Sequence, residues 1–233
     1  MEASEIAKLI NSPVGFGSHV SVETVQHMLK QGNVASYKAN TFVTRRGQAE
    51  PRLCVMLSGH VRLTAFTEDG REMLTHIVRP GDCWGVHPCL GDYQETNDSM
   101  IEKAGQVLLL KPKAVETLMW TRQDFQKAMV ALLCKRLNLA ISLAEQFGAW
   151  NARERVAWRL LLLSNGLDRR NEDHFIETIA LSQETLSSMV HLSRQRTNVI
   201  LKTLEADGVI TQNYGRIVIK DLEALRGEIT RAR

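Results

Sequence analysis

Residues 181–204 constrain the fold of this chain more than any other stretch, because two short amphipathic segments there flank a tight turn. Apolar residues recur at helical spacing in both segments: Leu186, Met189 and Val190 in the first, and Val199, Ile200, Leu201 and Leu204 in the second. Ser182 and Ser193 precede the segments, where a hydroxyl can accept a hydrogen bond from an unpaired backbone N–H. The sequence therefore predicts two helices joined by a turn, with the four apolar residues of the second helix buried.

The first two turns of the second helix are polar and basic. Residues 194–198 read Arg-Gln-Arg-Thr-Asn, a composition that gives a buried helix no advantage. In the DNA major groove, Arg can bond to guanine O6 and N7, and Gln or Asn can bond to adenine N6 and N7. We therefore expect Arg194, Gln195 and Asn198 to read base edges, and Arg196 to read a base or hold a phosphate. A solvated helix face is the alternative interpretation.

A hairpin is predicted after the second helix. Residues 209–212 and 216–219 have strand-like composition and flank Asn213-Tyr214-Gly215. This is the pattern of a winged helix, in which Arg216 could reach a phosphate or simply lie in a solvent-exposed turn. We expect the following residues to hold the module on the DNA backbone: Ser182, Ser193, Lys202 and Arg216.

Short β runs separated by turn residues fill the region from residue 37 to residue 112. The predicted strands cover residues 52–57, 60–66, 72–78 and 107–110, and the turns between them contain Ser58-Gly59, Asp69-Gly70 and Pro80-Gly81. Such a series predicts a small antiparallel barrel or sandwich. With the helices on either side of it, the fold class is α+β.

A long helix is predicted from residue 124 to residue 146, with two apolar stripes. One stripe contains Phe125, Met129, Leu132, Leu139 and Leu143, and the other contains Val130, Leu133, Leu137, Ala140, Ala144 and Phe147. The first stripe can cover the β domain, and the second can pair with another copy of the chain as a parallel coiled coil. A helix buried on both sides within one monomer is the alternative. Residues 147–151 break the pattern and predict a hinge.

The chain resembles the CRP/FNR family of bacterial transcription regulators. The resemblance is carried by Leu181-Ser182-Gln183-Glu184, Leu192-Ser193-Arg194-Gln195, residues 201–210 and the turns of the β region, and it covers roughly residues 35–220. His191 and Asn40 stand where the family commonly has glycine. Histidine is among the non-glycine residues that tolerate positive φ, so the turn at His191 can be kept, and Asn40 is a minor departure.

The resemblance implies three parts. Residues 1–122 would form an N-terminal antiparallel β-roll of the cyclic-nucleotide-binding type, which senses an effector, and residues 123–150 a dimerisation helix and hinge. Residues 151–233 would form a C-terminal winged helix-turn-helix that binds double-stranded DNA. A homodimer would read a near-palindromic operator, and RNA polymerase would be a further partner if the protein is an activator. The cAMP-binding class has an acidic residue where Gln195 stands and an arginine where Val199 stands, so the half-site should differ from theirs.

The effector is not identified by the resemblance. Members that bind cAMP hold it with a Gly-Glu and an Arg-Ser dipeptide, whereas here Val86 replaces the acid and no arginine lies near Thr96. Without a cationic partner the cyclic phosphate loses a charge-assisted hydrogen bond, so we expect no ordinary cAMP binding. We place the effector pocket at Cys83, Trp84, Val86, His87, Ala140 and Ile141.

Metal cofactors find little support in the sequence. Iron–sulfur members of the family use N-terminal cysteines, and residues 1–53 contain none. Haem-binding gas sensors of the family place a ligating histidine shortly after the Gly-Asp turn, close to the position of His87. A structural, hydrogen-bonded histidine is the alternative. We predict no cofactor, and haem bound by His87 is the alternative hypothesis to test.

Two other classes of function remain as alternatives. A cupin-like metal enzyme would need clustered ligands, but His60, His76 and His87 are scattered in the sequence and no Ser-His-Asp pattern is evident, so we expect no enzyme. A pure dimerisation or partner-binding module would show no salt-dependent DNA binding.

Composition sets the broad class of protein. The 233 residues are 44% hydrophobic and 24% charged, with a formal net charge of +3. The chain is long enough for one large domain or two smaller ones, can bury a substantial core, and has a mild preference for an acidic partner. Four cysteines far apart predict no disulfide framework. The N-terminus has no basic region followed by an apolar run, and no run is long enough to span a bilayer. We therefore expect a cytoplasmic protein without membrane contact.

Overall fold

The structure of the protein is a computed structural model, which describes residues 1–48, 50–66, 72–91, 93–165, 178–213 and 215–230. The chain divides into two compact units, Met1–Cys134 and Lys135–Arg233. The boundary falls inside one long helix, α5, which covers Gln123–Ala149. In the part of the chain that the structure describes, no helix is both long enough and apolar enough to cross a membrane.

The first unit consists of an antiparallel sheet and several short helices. Its elements are α1 (Ala3–Ile10), α2 (Val22–Gln31), β1 (Asn33–Tyr37), β2 (Phe42–Thr44), β3 (Leu53–Phe66), β4 (Glu72–Val78), β5 (Cys83–Trp84), α3 (Val86–Leu90), β6 (Asp98–Leu110), α4 (Pro112–Thr121) and the start of α5. The strands follow the order β1-β6-β3-β4, with β2 added to β6 and β5 added to β3. All of these pairs are antiparallel, as the sequence predicts.

The prediction of two strands separated by a turn at Ser58-Gly59 is wrong. Residues 53–66 form the single strand β3, which pairs with β6 over most of its length and is interrupted by irregular register around Ser58 and His60. Gly59 has a φ of 84°, and a Cβ atom there would lie 2.3 Å from the Lys103 carbonyl oxygen. The glycine therefore serves a β-bulge that bends the strand, and not a hairpin. The predicted turn at Asp69-Gly70 lies outside the described residues.

The interior of the β-roll is apolar. A buried cluster combines side chains from β3, β4, β5 and β6: Cys54, Met56, Val61, Leu63, Val78, Trp84, Ile101, Val107 and Leu109. Their removal from water is the main favourable contribution to the stability of this unit. The polar pair Thr44 and Ser99 is also buried, with 2.6 Å between the two hydroxyl oxygens.

The two stripes predicted on α5 differ in burial. Phe125, Met129 and Leu132 are buried in the first unit, whereas Val130 and Leu137 are exposed in the single chain. Leu133, Ala140, Ile141 and Ala144 are exposed as well. The first three residues of the first stripe are therefore buried in the first unit, as predicted, whereas Leu139 farther along α5 is half-buried. The described residues of the second stripe are exposed apolar surface.

The second unit is a small helical domain with a three-stranded sheet. It contains α6 (Ala152–Asn165), β7 (Thr178–Ala180), α7 (Gln183–Met189), α8 (Arg194–Ala206), β8 (Ile210–Asn213), β9 (Arg216–Ile219) and α9 (Leu222–Thr230). The strand order is β7-β9-β8, and the β8–β9 hairpin is the predicted wing. Arg153 joins three helices, since its guanidinium donates to Glu228 on α9 and to Asp207 at the end of α8, each at 2.6 Å.

Candidate nucleic-acid interface

Local hydrogen bonds fix the ends of the two helices. The Ser182 hydroxyl oxygen accepts from the Thr185 backbone N–H at 3.0 Å, and the Ser193 hydroxyl oxygen accepts from the Arg196 N–H at 3.2 Å. Both serines are N-caps, as predicted. His191 lies in the turn with a φ of 52°, in the left-handed region. This agrees with the prediction that His191 takes the place of a turn glycine. Short-range hydrogen bonds therefore fix the start of α8.

The buried side of α8 is not the one that the apolar run suggests. Thr197, Leu201 and Leu204 are fully buried, at the spacing of four and three residues that defines one helix face. The prediction that Val199 belongs to the core is wrong: its side chain is 60% exposed. Thr197 was grouped with the polar tip, but it points into the fold.

A cationic tip remains on the outside of the unit. Arg194, Gln195 and Arg196 are exposed, and no hydrogen bond or ion pair within the described residues occupies their side chains. Lys202, farther along α8, and Arg216, at the start of β9, are exposed too. The second unit thus presents on one helix and the adjacent wing five of the residues predicted to meet DNA, together with the two exposed N-cap serines.

Asn198, the eighth predicted DNA-contacting residue, is half-buried and belongs to a chain of amide contacts. Gln212 donates from Nε2 to the Glu205 carboxylate at 3.1 Å. Its Oε1 accepts from Gln183 Nε2 at 3.0 Å, and the same Gln183 nitrogen donates to Asn198 Oδ1 at 3.3 Å. We refer to Glu205, Gln212, Gln183 and Asn198 as the amide relay.

The carboxylate determines which way each amide of the relay faces. An ionised carboxylate only accepts hydrogen bonds, so Gln212 must turn its NH₂ group toward Glu205 and its oxygen toward Gln183. Gln183 then donates, which engages the Asn198 oxygen and leaves the Asn198 NH₂ group as its outward-facing part. Bidentate pairing of Asn198 with adenine, which needs that oxygen as an acceptor, is disfavoured. Sequence patterns gave no sign of the relay, because its members come from three separate elements.

Positive charge also lies behind the turn. Arg159 of α6 donates to the Met189 carbonyl oxygen at the end of α7, at 2.9 Å, where the helix dipole is negative. Burial lowers the pKa of Arg159 to about 10, which still leaves it charged at neutral pH. Burial also lowers the pKa of His191, and the neighbouring Arg159 and Arg155 lower it further. The two arginines therefore supply the positive charge here.

The residues predicted for the effector pocket differ in burial and do not all belong to the same unit. Cys83, Trp84 and Val86 are buried, and Trp84 belongs to the apolar cluster of the β-roll. His87 on α3 is partly exposed, with its ring 6.3 Å from that of Tyr93. Ala140 and Ile141 lie on the part of α5 that belongs to the second unit. A groove of about 500 Å³ on the first unit is lined instead by Cys89, Leu90, Pro112, Trp120 and four neighbouring residues.

The histidines and cysteines do not form a metal centre in the described part of the chain, where no three His, Cys, Asp or Glu side chains converge. His76 pairs with Asp82, with 2.9 Å between Nε2 and Oδ2, whereas His60 lies beside Arg79 and Lys103. Burial and the neighbouring Glu95 raise the pKa of the Cys89 thiol to about 12, so without a metal it is protonated at neutral pH. Clustered ligands of the kind that a cupin-like metal site needs are therefore not found among the described residues.

Comparisons with known proteins agree with this architecture. A family model for the cyclic nucleotide-binding domain matches residues 34–122, and one for the Crp-like helix-turn-helix domain matches residues 154–228. The chain is 22% identical over 211 residues to the CRP-like cAMP-activated global transcriptional regulator of Mycobacterium tuberculosis, an alignment that covers 91% of this chain and 94% of that protein. It is 24% identical over 214 residues to the nitrogen fixation regulation protein FixK of Azorhizobium caulinodans, which covers 91% of this chain and 85% of that protein.

A solved structure shares the fold. The c-di-GMP responsive global regulator CLP of Xanthomonas campestris superposes with a TM-score of 0.68 at 20% sequence identity, and the match covers 85% of this chain and 99% of that one. The two family models lie in the same order as the β-roll and the helix-turn-helix described above. The chain therefore belongs to the CRP/FNR family of DNA-binding transcription regulators.

Proposed function

We propose that the protein binds a near-palindromic operator as a homodimer, with α8 of each copy in the major groove. The observation that carries the proposal is the cationic tip of α8, whose side chains are exposed and have no hydrogen-bond or ion-pair partner among the described residues, while Leu201 and Leu204 anchor the same helix in the core. A helix with this division of faces is suited to insertion into a groove with a dense pattern of hydrogen-bonding groups.

We assign base contacts to Arg194, Gln195 and Asn198. Arg196 is assigned to either a base or a phosphate. Arg194 and Gln195 are free to make bidentate contacts with guanine and adenine, respectively. Asn198, held by the amide relay, would donate to an acceptor such as guanine N7 or O6. The base preference at this position should therefore differ from that of an unconstrained asparagine.

Phosphate contacts are assigned to Ser182, Ser193, Lys202 and Arg216. The two serines lie at helix N-termini, where backbone N–H groups and the helix dipole favour an anion. Lys202 and Arg216 add long, exposed cationic side chains on α8 and the wing. These contacts would set affinity and register without selecting sequence.

Dimerisation is assigned to the exposed stripe of α5. Val130, Leu133, Leu137 and Ala140 are separated by three, four and three residues, which is the spacing of a and d positions in a coiled coil. Two copies packed along this stripe would remove its apolar surface from water. A dimer also places two copies of α8 on one duplex, as a near-palindrome requires.

The β-roll is proposed as the sensor of an effector whose identity is open. The relative in M. tuberculosis is described as cAMP-activated and CLP as c-di-GMP responsive, yet in this chain Val86 is buried where cAMP sensors have an acid. We therefore propose that the effector is not cAMP bound in the way that cAMP sensors bind it. A coupling free energy of about 1–3 kcal/mol between the units would be enough to switch operator occupancy, and contact with RNA polymerase follows if the protein activates transcription.

The proposal is tested by selecting bound sequences from a random duplex library with the purified protein, and then measuring affinity for the selected site. Replacing Arg194 with Ala should weaken binding by about 1–3 kcal/mol and relax selection at one base pair per half-site. Lys202→Ala should instead weaken all sequences alike and reduce the slope of log Kd against log salt by about one unit.

The control is Arg45→Ala, which removes the same charge from an exposed position of the first unit. It should leave the selected sequence unchanged. If Arg194→Ala leaves affinity and sequence selection unaltered, the assignment of which α8 residues face the bases is wrong. Binding that is absent, or independent of salt, would instead favour the alternative in which the helix-turn-helix contacts another protein.

A further inference from the structure

Val199 is an apolar side chain on the otherwise polar outer face of α8. Its neighbours one turn away on that face are Gln195 and Lys202, and Asn198 is adjacent. The helix buries Thr197, Leu201 and Leu204 on the opposite side, so Val199 adds nothing to the core of the isolated chain. As a β-branched residue it also has a lower helix propensity than the polar residues around it.

The position of Val199 along α8 lies within reach of bases. It is the sixth residue of the helix, and at a rise of about 1.5 Å per residue its Cα atom lies roughly 7.5 Å along the axis from that of Arg194. The N-terminal part of a recognition helix is the part that contacts base edges. Gln195, which is proposed to read a base, lies one turn before Val199 on the same exposed face, so Val199 faces the floor of the groove when Gln195 does.

The floor of the major groove offers one kind of apolar group, the C5 methyl of thymine. A valine has no hydrogen-bonding atom in its side chain, so it gains nothing from the donors and acceptors of the other bases and would desolvate them. Resting on the proposed function, we propose that Val199 selects a thymine in each half-site by packing its γ-methyl groups against the thymine methyl.

The test compares thymine with deoxyuridine, which lacks only the C5 methyl. In the operator selected by the wild-type protein, each thymine of the half-site is replaced in turn, and Kd is measured at constant salt for wild type and Val199→Ala. Removal of contact with one methyl group corresponds to about a three- to fivefold loss of affinity. We expect that loss at one thymine in the wild type and no further loss at the same position in Val199→Ala.

Two further variants sharpen the comparison. Val199→Thr keeps one γ-methyl group and should retain part of the preference for thymine over deoxyuridine. Val22→Ala shortens an exposed valine of α2 in the first unit and should behave as wild type at every position.

The outcomes separate this inference from the proposed function. Equal losses for wild type and Val199→Ala at every thymine, or a selected half-site without thymine, would overturn the assignment of Val199 while leaving sequence-specific binding intact. A wild-type protein that selects no sequence at all would overturn both.

Discussion

Replacement of Thr197 by valine should stabilise the second unit. Thr197 is fully buried on α8, and its hydroxyl has no hydrogen-bond partner among the described residues. A hydroxyl taken out of water without a partner costs about 1–3 kcal/mol. Valine has almost the same shape and no polar atom, so Thr197→Val removes that penalty without opening a cavity.

The expected gain is about 1–2 kcal/mol, since part of the penalty is relieved by small adjustments of the surroundings. A domain of about 100 residues shifts its midpoint by about 4–8 °C for each kcal/mol, which predicts an upward shift of roughly 4–16 °C in the transition of the second unit. The assay is differential scanning calorimetry of the full chain, supported by hydrogen exchange of the amides of α8. DNA affinity should not change, because Thr197 faces away from the groove.

Thr203 provides a matched control on the same helix. It is exposed, and its hydroxyl already donates to the Val199 carbonyl oxygen at 2.9 Å, so Thr203→Val should change stability by less than about 0.5 kcal/mol. Thr197→Ser keeps the hydroxyl but loses a buried methyl group, and should destabilise by about 1 kcal/mol. If Thr197→Val leaves the transition unchanged or lowers it, the hydroxyl has a partner, such as a buried water, and the reasoning fails.

Three other changes test the remaining parts of the account. In Gln183→Met the methionine cannot donate a hydrogen bond to Asn198, so the Asn198 amide can turn. Selection at the base that we assign to Asn198 should then broaden to include adenine. An unaltered selection profile would contradict the amide relay. Leu137→Glu places a charge in the exposed α5 stripe and should shift the protein to monomer in light scattering at micromolar concentration, whereas Asn138→Glu, one residue off the stripe, should stay dimeric. Burial raises the pKa of Asp124, but hydrogen bonds from Ser21, Thr24 and Phe125 outweigh it and lower the pKa below its usual range. The stabilisation from Asp124 is therefore present above about pH 4 and lost as pH falls through the folded pKa, so Asp124→Asn should reduce the pH dependence of acid unfolding in the first unit.

The helix-turn-helix was predictable because its determinants are local. A hydroxyl at each N-cap, a residue that tolerates positive φ in the turn and a seven-residue helix with its apolar stripe are all visible in two dozen residues. The structure places Ser182, Ser193 and His191 in those roles. In α2 local interactions likewise define the ends, since Ser21 caps the start and Gly32 lies at the end.

Orientation of the second helix was not predictable to the residue. Val199, Ile200 and Leu201 are consecutive apolar residues, and periodicity alone does not say which of them faces inward. Packing against the rest of the unit selects Leu201 and, with it, Thr197 four residues earlier. A threonine in the core and a valine on the surface reverse the usual preference, which is why the pattern pointed the wrong way.

Long-range pairing explains the other error. Ser58-Gly59 has the composition of a turn, but β6 pairs with β3 on both sides of it, and Gly105 of β6 approaches so closely that a Cβ there would lie 1.7 Å from the Ser58 carbonyl oxygen. Two glycines on neighbouring strands thus let the backbones meet where a side chain would separate them. No local rule contains that information, because the second glycine is 46 positions away.

The neutral residues on α8 determine how specificity and salt should relate in this protein. Where cAMP-binding members have an acid and an arginine, this chain has Gln195 and Val199, so the two positions that we propose to face bases would make contacts that release no counterions. Salt dependence should then report the phosphate contacts and the arginines at positions 194 and 196, while discrimination at the Gln195 and Val199 positions should persist as salt rises. Measuring the selected sequence at low and high salt separates the two contributions: affinity should fall steeply, whereas the preference at those two base pairs should not. If that preference vanished together with affinity, charge rather than shape and hydrogen bonding would be the basis of recognition on this face of the helix.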